Sequence, residues 1–172
     1  MNEEEIIRTH EKDKKELSVL AKKSYISKEK IEEILKSAKS PAVGNAQDFI
    51  TLGEQYGIDP TIALAFFMKE STLGSNPRAD ITINTKSIGN IRYLPDCPTG
   101  ENYRGFCKYI SWKQGIEYWY KLISGEKYIG NGLDTVEKIV EKYAPADDGN
   151  DIDEYVHKVR GWVKEWRDIP NK

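Results

Sequence analysis

Glu70 is the residue whose type and position most strongly suggest chemistry. It follows an apolar stretch, residues 61–68, and immediately precedes a Ser-Thr-Leu-Gly turn. A carboxyl group at the end of such a helix is expected to be partly removed from water, which disfavours its ionised form and raises its pKa. A carboxylic acid that stays protonated near neutral pH can donate a proton to a leaving oxygen. Glu70 is therefore a candidate general acid; the alternative is that it caps its helix or pairs with Lys69 or Arg78.

A second group of residues has the side chains expected of a site that binds a polar, ring-shaped ligand. Aromatic faces stack on sugar rings, and tyrosine adds a hydroxyl for hydrogen bonding. Tyr93 and Tyr109 lie in a loop-rich region, and Tyr143 stands directly before Ala144-Pro145. Asn90 offers an amide beside Gly89, which allows a close approach of the backbone. Ordinary packing of the tyrosines and a plain turn at residues 89–90 are the alternatives.

The sequence lacks the patterns that are typical of phosphate-binding and metal-binding sites. The glycines of residues 125–132 are not followed by the Gly-Lys-Ser/Thr of a phosphate-binding loop. The acidic run at residues 147–151 lacks the spacing and the later Glu of a calcium loop. His10 and His157 lie far from both cysteines, so a zinc pattern is weak. We expect no metal and no cofactor.

The elements that must position these residues are mostly helices. Asp59-Pro60 is a cap followed by proline at the first helical position, and the stretch after it is apolar on all sides, which predicts a helix in the middle of a core. Ser111 with Gln114, and Asp134 with Glu137, have the spacing of capping boxes before two further helices. Residues 71–110 are rich in Gly and Pro and predict a long loop and a small hairpin lobe. The predicted class is mainly α, with an irregular or β-hairpin lobe.

The first 40 residues differ in composition from the rest. Nineteen of them are charged, against 35 of the remaining 132. We therefore divide the chain into a charged helical extension or linker, residues 1–40, and a globular domain, residues 41–172. In the extension Ser27 can cap a helix whose face carries Ile31, Ile34 and Leu35. This segment is expected to be dispensable for chemistry, and to serve either as a docking arm for a protein partner or as a solvated linker.

The overall charge and hydropathy exclude some partners. The formal net charge is -2 and the pI about 5.8, so no basic excess points to nucleic acid. The N-terminus has acidic residues after Met1 and no apolar core of a signal peptide, and no apolar stretch is long enough to span a bilayer. Cys97 and Cys107 are separated by nine residues. A disulfide and two free thiols are equally compatible with this spacing, because the cellular compartment decides between them.

Four segments in order resemble one family. Residues 57–74 (GIDPTIALAFFMKESTLG) resemble the catalytic helix of the lysozyme-like superfamily, which ends in Glu-Ser-x-x-Gly. Residues 85–92 (TKSIGNIR), 105–116 (GFCKYISWKQGI) and 143–150 (YAPADDGN) resemble the later motifs of bacterial and phage glucosaminidase domains. Their order and spacing agree over roughly residues 44–167.

The resemblance implies a lysozyme-like helical fold and a bound glycan of alternating N-acetylated sugars. Glu70 would protonate the glycosidic oxygen. Glu101, preferred over Asp96, would be a second carboxylate in the hairpin lobe, although attack by the substrate's acetamido oxygen or C6 hydroxyl needs none. The implied partner is the glycan strand of peptidoglycan, and the implied location is the cell wall, extracellular or virion-associated.

Three functions stay open at this point. The leading one is an endo-β-N-acetylglucosaminidase. The second is a lytic transglycosylase or muramidase of the same fold, which cuts the other linkage. The third, of another class, is a non-catalytic glycan-binding or phage-structural module that keeps only the cleft. The Glu-Ser-x-x-Gly turn favours the two enzymes over the third.

Overall fold

The computed structural model describes residues 2–6, 15–76 and 80–170. Within these ranges the protein is mainly helical and has a two-stranded antiparallel sheet, as predicted. The α-helices after residue 27 are α1 (Lys28–Ser37), α2 (Ala46–Tyr56), α3 (Pro60–Ser71), α4 (Asp80–Thr85), α5 (Trp112–Ser124), α6 (Val136–Tyr143) and α7 (Ile152–Trp166). The strands are β1 (Asn102–Tyr103) and β2 (Phe106–Cys107), and short 3-10 helices cover Ile129–Asn131 and Ala146–Asp148.

Helix α3 lies at the centre of the core. Its residues from Pro60 to Phe67 are all buried, as the apolar sequence on every side of the helix predicts. It packs most extensively against α7 and also contacts α2. Because α3 is enclosed along its first two turns, only its C-terminal end, which carries Glu70, comes near the surface.

The start of α3 is held by a buried carboxylate. Asp59 caps the helix by accepting a hydrogen bond from the backbone N–H of Thr61 at 3.0 Å. Its side chain is fully buried, and both Nε and Nη2 of Arg167 lie 2.9 Å from its Oδ2. Burying a charge is costly unless it is paired and hydrogen-bonded, and Asp59 meets both conditions. The ion pair therefore joins the start of α3 to the residue that follows α7.

The other predicted caps are partly confirmed. Ser111 accepts from the backbone N–H of Gln114 at 3.1 Å and begins α5, as the capping box predicts. The cap of α6 is wrong by one residue: Thr135, not Asp134, accepts from the backbone N–H of Lys138. Threonine with an extended backbone is also among the preferred caps, and the Asp134 side chain instead lies 3.8 Å from the Lys138 ammonium.

The hairpin lobe comprises residues 91–110. Asn102 pairs with Cys107 and Tyr103 with Phe106, so the predicted hairpin is confirmed. Cys97 and Cys107 form a disulfide with their Cα atoms 5.8 Å apart, which settles the choice between bonded and free thiols. With so little regular backbone pairing, this lobe depends on the disulfide and on turns for its shape.

Residues 15–40 contribute to the same core as the helices that follow. Val19, Ile26, Ile31 and Leu35 are completely buried. The backbone around Val19 also pairs with two distant segments: its N–H donates to the carbonyl of Asp134 and its carbonyl accepts from Asp59 N–H. Part of the proposed extension, residues 1 and 7–14, lies outside the described residues, as do residues 77–79 and 171–172 of the proposed domain.

These contacts change what is expected of a shortened chain. An autonomous domain starting at residue 41 stays a prediction, but it would lose four fully buried aliphatic side chains, each worth about 1.5–3 kcal/mol of burial. The high charge density of residues 1–40 obscured this contribution, because the charged side chains occupy the outward positions between the buried ones. No helix in the described part of the chain is long and apolar enough to cross a membrane.

Candidate active site

The turn after α3 places Glu70 at the mouth of a cleft. Thr72 and Leu73 both have left-handed backbone conformations, with φ of 52° and 56°, followed by Gly74 at 87°. Ser71, which is buried, donates its hydroxyl to the carbonyl of Ile88 at 2.6 Å and accepts from Gly74 N–H at 2.9 Å. The Glu-Ser-x-x-Gly sequence therefore ends the helix sharply and ties it to Ile88, 17 residues after Ser71.

The Glu70 carboxyl group is half-buried and has one hydrogen-bond donor from another helix. The Tyr155 hydroxyl of α7 donates to Glu70 Oε1 at 2.8 Å. Burial raises the pKa of Glu70 above its ordinary value, and the hydrogen bond from Tyr155 and the charge of Lys69 only partly oppose this. Of the two alternative pairings, Lys69 binds Glu154 at 3.1 Å, and Arg78 lies outside the described residues. Within the described residues, Glu70 therefore has a hydrogen bond from Tyr155 and no ion pair with Lys69.

A tight turn at Gly89 and Asn90 forms the neighbouring wall. The Tyr143 hydroxyl donates to the Gly89 carbonyl at 3.0 Å, and Asn90 Nδ2 donates to the Glu70 backbone carbonyl at 3.2 Å. Thr82 in turn donates to Asn90 Oδ1 at 2.6 Å. A side chain at position 89 would meet the Phe67 ring at 2.8 Å, so only glycine lets the turn lie this close to α3.

Both phenols at the site are neutral hydrogen-bond donors at neutral pH. Burial raises the pKa of Tyr143 and of Tyr155 well above 10, and the nearby Glu70 raises both further. The Phe66 ring lies between them, with centroid distances of 5.6 Å to Tyr143 and 5.7 Å to Tyr155. This aromatic packing fixes the position of the Tyr155 hydroxyl and hence of the Glu70 side chain.

The cleft beside Glu70 has a volume of about 770 Å³. Glu70, Asn90 and Tyr143 line it together with Asp148, the other carboxylate of its wall. A smaller cavity of about 100 Å³ lies next to Glu70 and Asn90 and extends towards α4. The main cleft is large enough for several sugar rings, and it is open to solvent at its exposed Asp148 edge.

Three of the residues selected from the sequence meet at this cleft. Glu70, Asn90 and Tyr143 all line it, and Gly89 contributes through its backbone. Asn90 does not have a free amide, however, because its side chain is bonded at both ends. The hydroxyl of Tyr143 is likewise bonded to the Gly89 carbonyl.

Four other candidates lie elsewhere. Glu101 is 63% exposed, pairs with Lys108 at 3.7 Å and does not line the cleft; Asp96 accepts from the Tyr118 hydroxyl at 2.6 Å. Tyr109 is only 2% exposed and packs against Tyr118, so its ring cannot stack on a ligand. Tyr93 is half-buried in the lobe, with its hydroxyl 3.4 Å from the Gly100 carbonyl. Glu101, Tyr93 and Tyr109 do not line the cleft, and the roles expected for them stay predictions.

The sequence did not single out two functional candidates. Tyr155 has the three-four spacing of a core residue, which hides the hydroxyl at the end of its buried ring. Asp148 belongs to the acidic run of residues 147–151, whose composition suggests a metal loop before it suggests a catalytic group. The resemblance to glucosaminidase motifs could have pointed to both residues. Asp148 lies within the resembling segment 143–150, and Tyr155 follows it.

The fold is similar to that of a solved autolysin. Staphylococcus aureus autolysin E, in a crystal structure with the muropeptide NAM-L-Ala-D-iGlu, superposes with a TM-score of 0.63 and 14% sequence identity. The match covers 100% of this chain and 84% of that chain. No family model matches the sequence, and no curated protein matches it. At this identity the likeness shows the fold alone, and that fold is mainly helical with a small hairpin, as expected from the sequence.

Proposed function

We propose that this protein is a peptidoglycan hydrolase that cleaves β-1,4 glycosidic bonds between N-acetylated sugars, with Glu70 as its general acid. The observation that carries the proposal is a half-buried carboxyl group on a large cleft, whose raised pKa keeps it protonated closer to neutral pH. The fold likeness to autolysin E supports this choice, because that protein was crystallised with a muropeptide. The proposed place of action is the cell wall.

The first step follows from the position of Glu70. A glycan strand in the cleft would place its scissile oxygen against the Glu70 carboxyl, which donates its proton as the C–O bond breaks. Because the Tyr155 hydroxyl already donates to Oε1, we place the acidic proton on the other carboxyl oxygen, Oε2. General acid catalysis of this kind typically accelerates a reaction by about 10²–10⁴-fold.

The cationic sugar formed in this step must then be captured. Asp148 is the carboxylate that lines the same cleft, and we propose it, in place of Glu101, as the group that activates water or stabilises the developing charge. Retaining enzymes hold their two carboxyl groups about 5–5.5 Å apart and inverting enzymes about 6.5–9.5 Å apart. The substrate's acetamido oxygen can serve instead, and in that case Asp148 is dispensable.

Endo-β-N-acetylglucosaminidase activity is our leading assignment. Lytic transglycosylase activity is the second candidate, because Glu70 alone provides the acid and Asp148 lies on an exposed 3-10 helix. A lytic transglycosylase needs no second carboxylate, since the substrate's C6 hydroxyl attacks. The two activities leave different ends on the glycan and can be separated by their products.

Mass spectrometry of digested peptidoglycan tests the proposal. Purified sacculi are incubated with the whole protein, and the soluble products are reduced with borohydride before analysis. Reduced N-acetylglucosamine ends would identify a glucosaminidase, reduced N-acetylmuramic acid ends a muramidase, and 1,6-anhydro ends a lytic transglycosylase. Glu70→Gln serves as the blank. Absence of any glycan cleavage by the wild-type protein would contradict the proposal and favour a binding module.

A further inference from the structure

Three cations line the same cleft as Glu70. Arg92 comes from the hairpin lobe, Lys127 from the segment after α5, and Lys142 from α6. The chain as a whole has a net charge of -2, so this grouping is local and does not reflect an overall basic composition. The same lining holds two carboxyl groups, those of Glu70 and Asp148, so the cations outnumber the acids, and a local excess of positive charge attracts anionic ligands.

Two of the three cations are fixed in place without being neutralised. Lys142 Nζ donates to the backbone carbonyl of Lys127 at 2.6 Å and lies 5.2 Å from the centre of the Tyr128 ring. The Arg92 guanidinium lies 4.6 Å from the centre of the Phe106 ring. An aromatic face and a carbonyl orient a cation but carry no net charge. The positive charges of Lys142 and Arg92 are therefore fixed in position at the cleft and are not neutralised.

Basic residues elsewhere in the described chain are commonly paired with acids. Lys69 pairs with Glu154, Lys108 with Glu101, Arg160 with Glu137 and Arg167 with Asp59. Among the residues that the structure describes, no carboxylate lies within 4.0 Å of the charged nitrogens of Arg92, Lys127 or Lys142. The two carboxyl groups that line the same cleft, those of Glu70 and Asp148, form no such pair with them. The contrast indicates that the partner of these cations is a ligand.

We propose that Arg92, Lys127 and Lys142 form an anion subsite that binds the carboxylates of the stem peptide attached to the glycan. The inference rests on the proposed function and names the part of the substrate that the cleft recognises. N-acetylated sugars are uncharged, so a neutral glycan gives three cations nothing to pair with. The peptide carried by the muramic acid supplies carboxylates, as the D-iGlu of the muropeptide in the autolysin E structure illustrates.

A pair of matched ligands tests this directly. The whole protein is titrated calorimetrically with NAM-L-Ala-D-iGlu and with the same compound in which both glutamate carboxylates are amides. The wild-type protein should bind the acid about three- to tenfold more tightly at low salt, the magnitude of one or two exposed ion pairs. The preference should shrink at high salt, because exposed charges are screened.

Charge removal at the subsite should abolish the preference. In the Lys127→Gln/Lys142→Gln double variant, and separately in Arg92→Gln, the acid and the amide should bind with nearly equal affinity. Lys138→Gln is the matched control, because Lys138 lies on the same helix as Lys142 but pairs with Asp134 outside the cleft. It should keep the wild-type preference. Thermal melting of each variant confirms that it is folded before titration.

The outcomes separate this inference from the proposed function. A protein that prefers the acid through these cations but cleaves no glycan would refute the function and keep the subsite. A protein that cleaves peptidoglycan but binds acid and amide equally would refute the subsite and keep the function. Tighter binding of a glycerol-phosphate oligomer than of the muropeptide acid would overturn the assignment to peptide carboxylates in favour of phosphate.

Discussion

The end of α3 and the hairpin lobe hold their acidic side chains in opposite ways. Glu70 is half-buried, receives a hydrogen bond from Tyr155 on α7 and is braced by Asn90 through its backbone. In the lobe, Glu101 is 63% exposed and pairs only with Lys108. The helical body surrounds its carboxyl group with rings from distant helices, whereas the lobe leaves Glu101 on the surface.

This difference indicates which part of the molecule can hold a proton-donating carboxyl group. A carboxyl group becomes a useful acid when the loss of water outweighs the interactions that favour its charge, and this needs several packed elements around it. The lobe, with its two-residue strands and one disulfide, buries too little to do so. Its contribution to the cleft is a charged and aromatic wall, formed by Arg92 and Phe106.

Glu70→Gln is expected to have the largest effect. Glutamine keeps the size of the side chain and can accept the Tyr155 hydrogen bond, but it cannot supply a proton. Turnover should fall by about 10²–10⁴-fold, which release of soluble glycan fragments would measure. Near-wild-type activity in this variant would show that Glu70 is not the general acid. The comparison between the two regions would then have no bearing on catalysis.

The same substitution has a pH-dependent effect on stability. Because the fold raises the pKa of Glu70 above 4.5, it favours the protonated carboxyl, and the wild-type protein is destabilised as pH rises through and above that value. Glu70→Gln does not titrate there. Its melting temperature should therefore exceed that of the wild type near neutral pH, and the excess should shrink towards pH 4. An excess that grows at acid pH would contradict the burial argument.

Leu35→Ala should cost about 2–5 kcal/mol of the free energy of unfolding, since Leu35 is fully buried in α1. Chemical denaturation would measure it. The matched control is Leu20→Ala, whose side chain is 43% exposed and whose loss should cost well under 1 kcal/mol. Equal, small costs at both positions would show that residues 15–40 are an appendage and that the helical body begins near residue 41.

Tyr155→Phe should lower turnover by roughly tenfold, the value of one hydrogen bond to a charged or polar partner. It should also move the basic limb of the pH–activity profile upwards, because the Tyr155 hydrogen bond lowers the pKa of Glu70. The limb reports the loss of the acid's proton. A lower rate with an unmoved limb would mean that Tyr155 acts through packing alone. Tyr118→Phe, at a hydroxyl bonded to Asp96 in the lobe, is the matched control.

Glu101→Gln should change turnover by less than about twofold, because an exposed ion pair contributes roughly 0–1 kcal/mol and Glu101 lies outside the cleft. The same hydrolysis assay measures it beside Asp148→Asn. A large loss at Glu101 would show that the lobe moves over the cleft when substrate binds, and would restore Glu101 as the second carboxylate.

The local features of the fold were predictable from the sequence. Helix α3, its Asp59 cap, the Ser111 cap of α5 and the position of Glu70 at a helix end all follow from residues within a few positions of each other. Capping and helical periodicity act over one or two turns, so a short window contains their physical cause. The hairpin in the lobe was predictable for the same reason, from its glycines and turns.

Only the tertiary structure decided which of the other residues share the site. Asp148 reaches the cleft, Glu101 does not, and Tyr109 is buried, although all three looked equivalent as polar residues in irregular segments. Tyr155 reaches Glu70 across 85 residues of chain. The direction of a loop side chain is set by what packs against it from distant elements, and no local window contains that information. The same holds for residues 15–40. Their few apolar side chains contribute to stability only because they pack into the core that α2 and the start of α3 form with them.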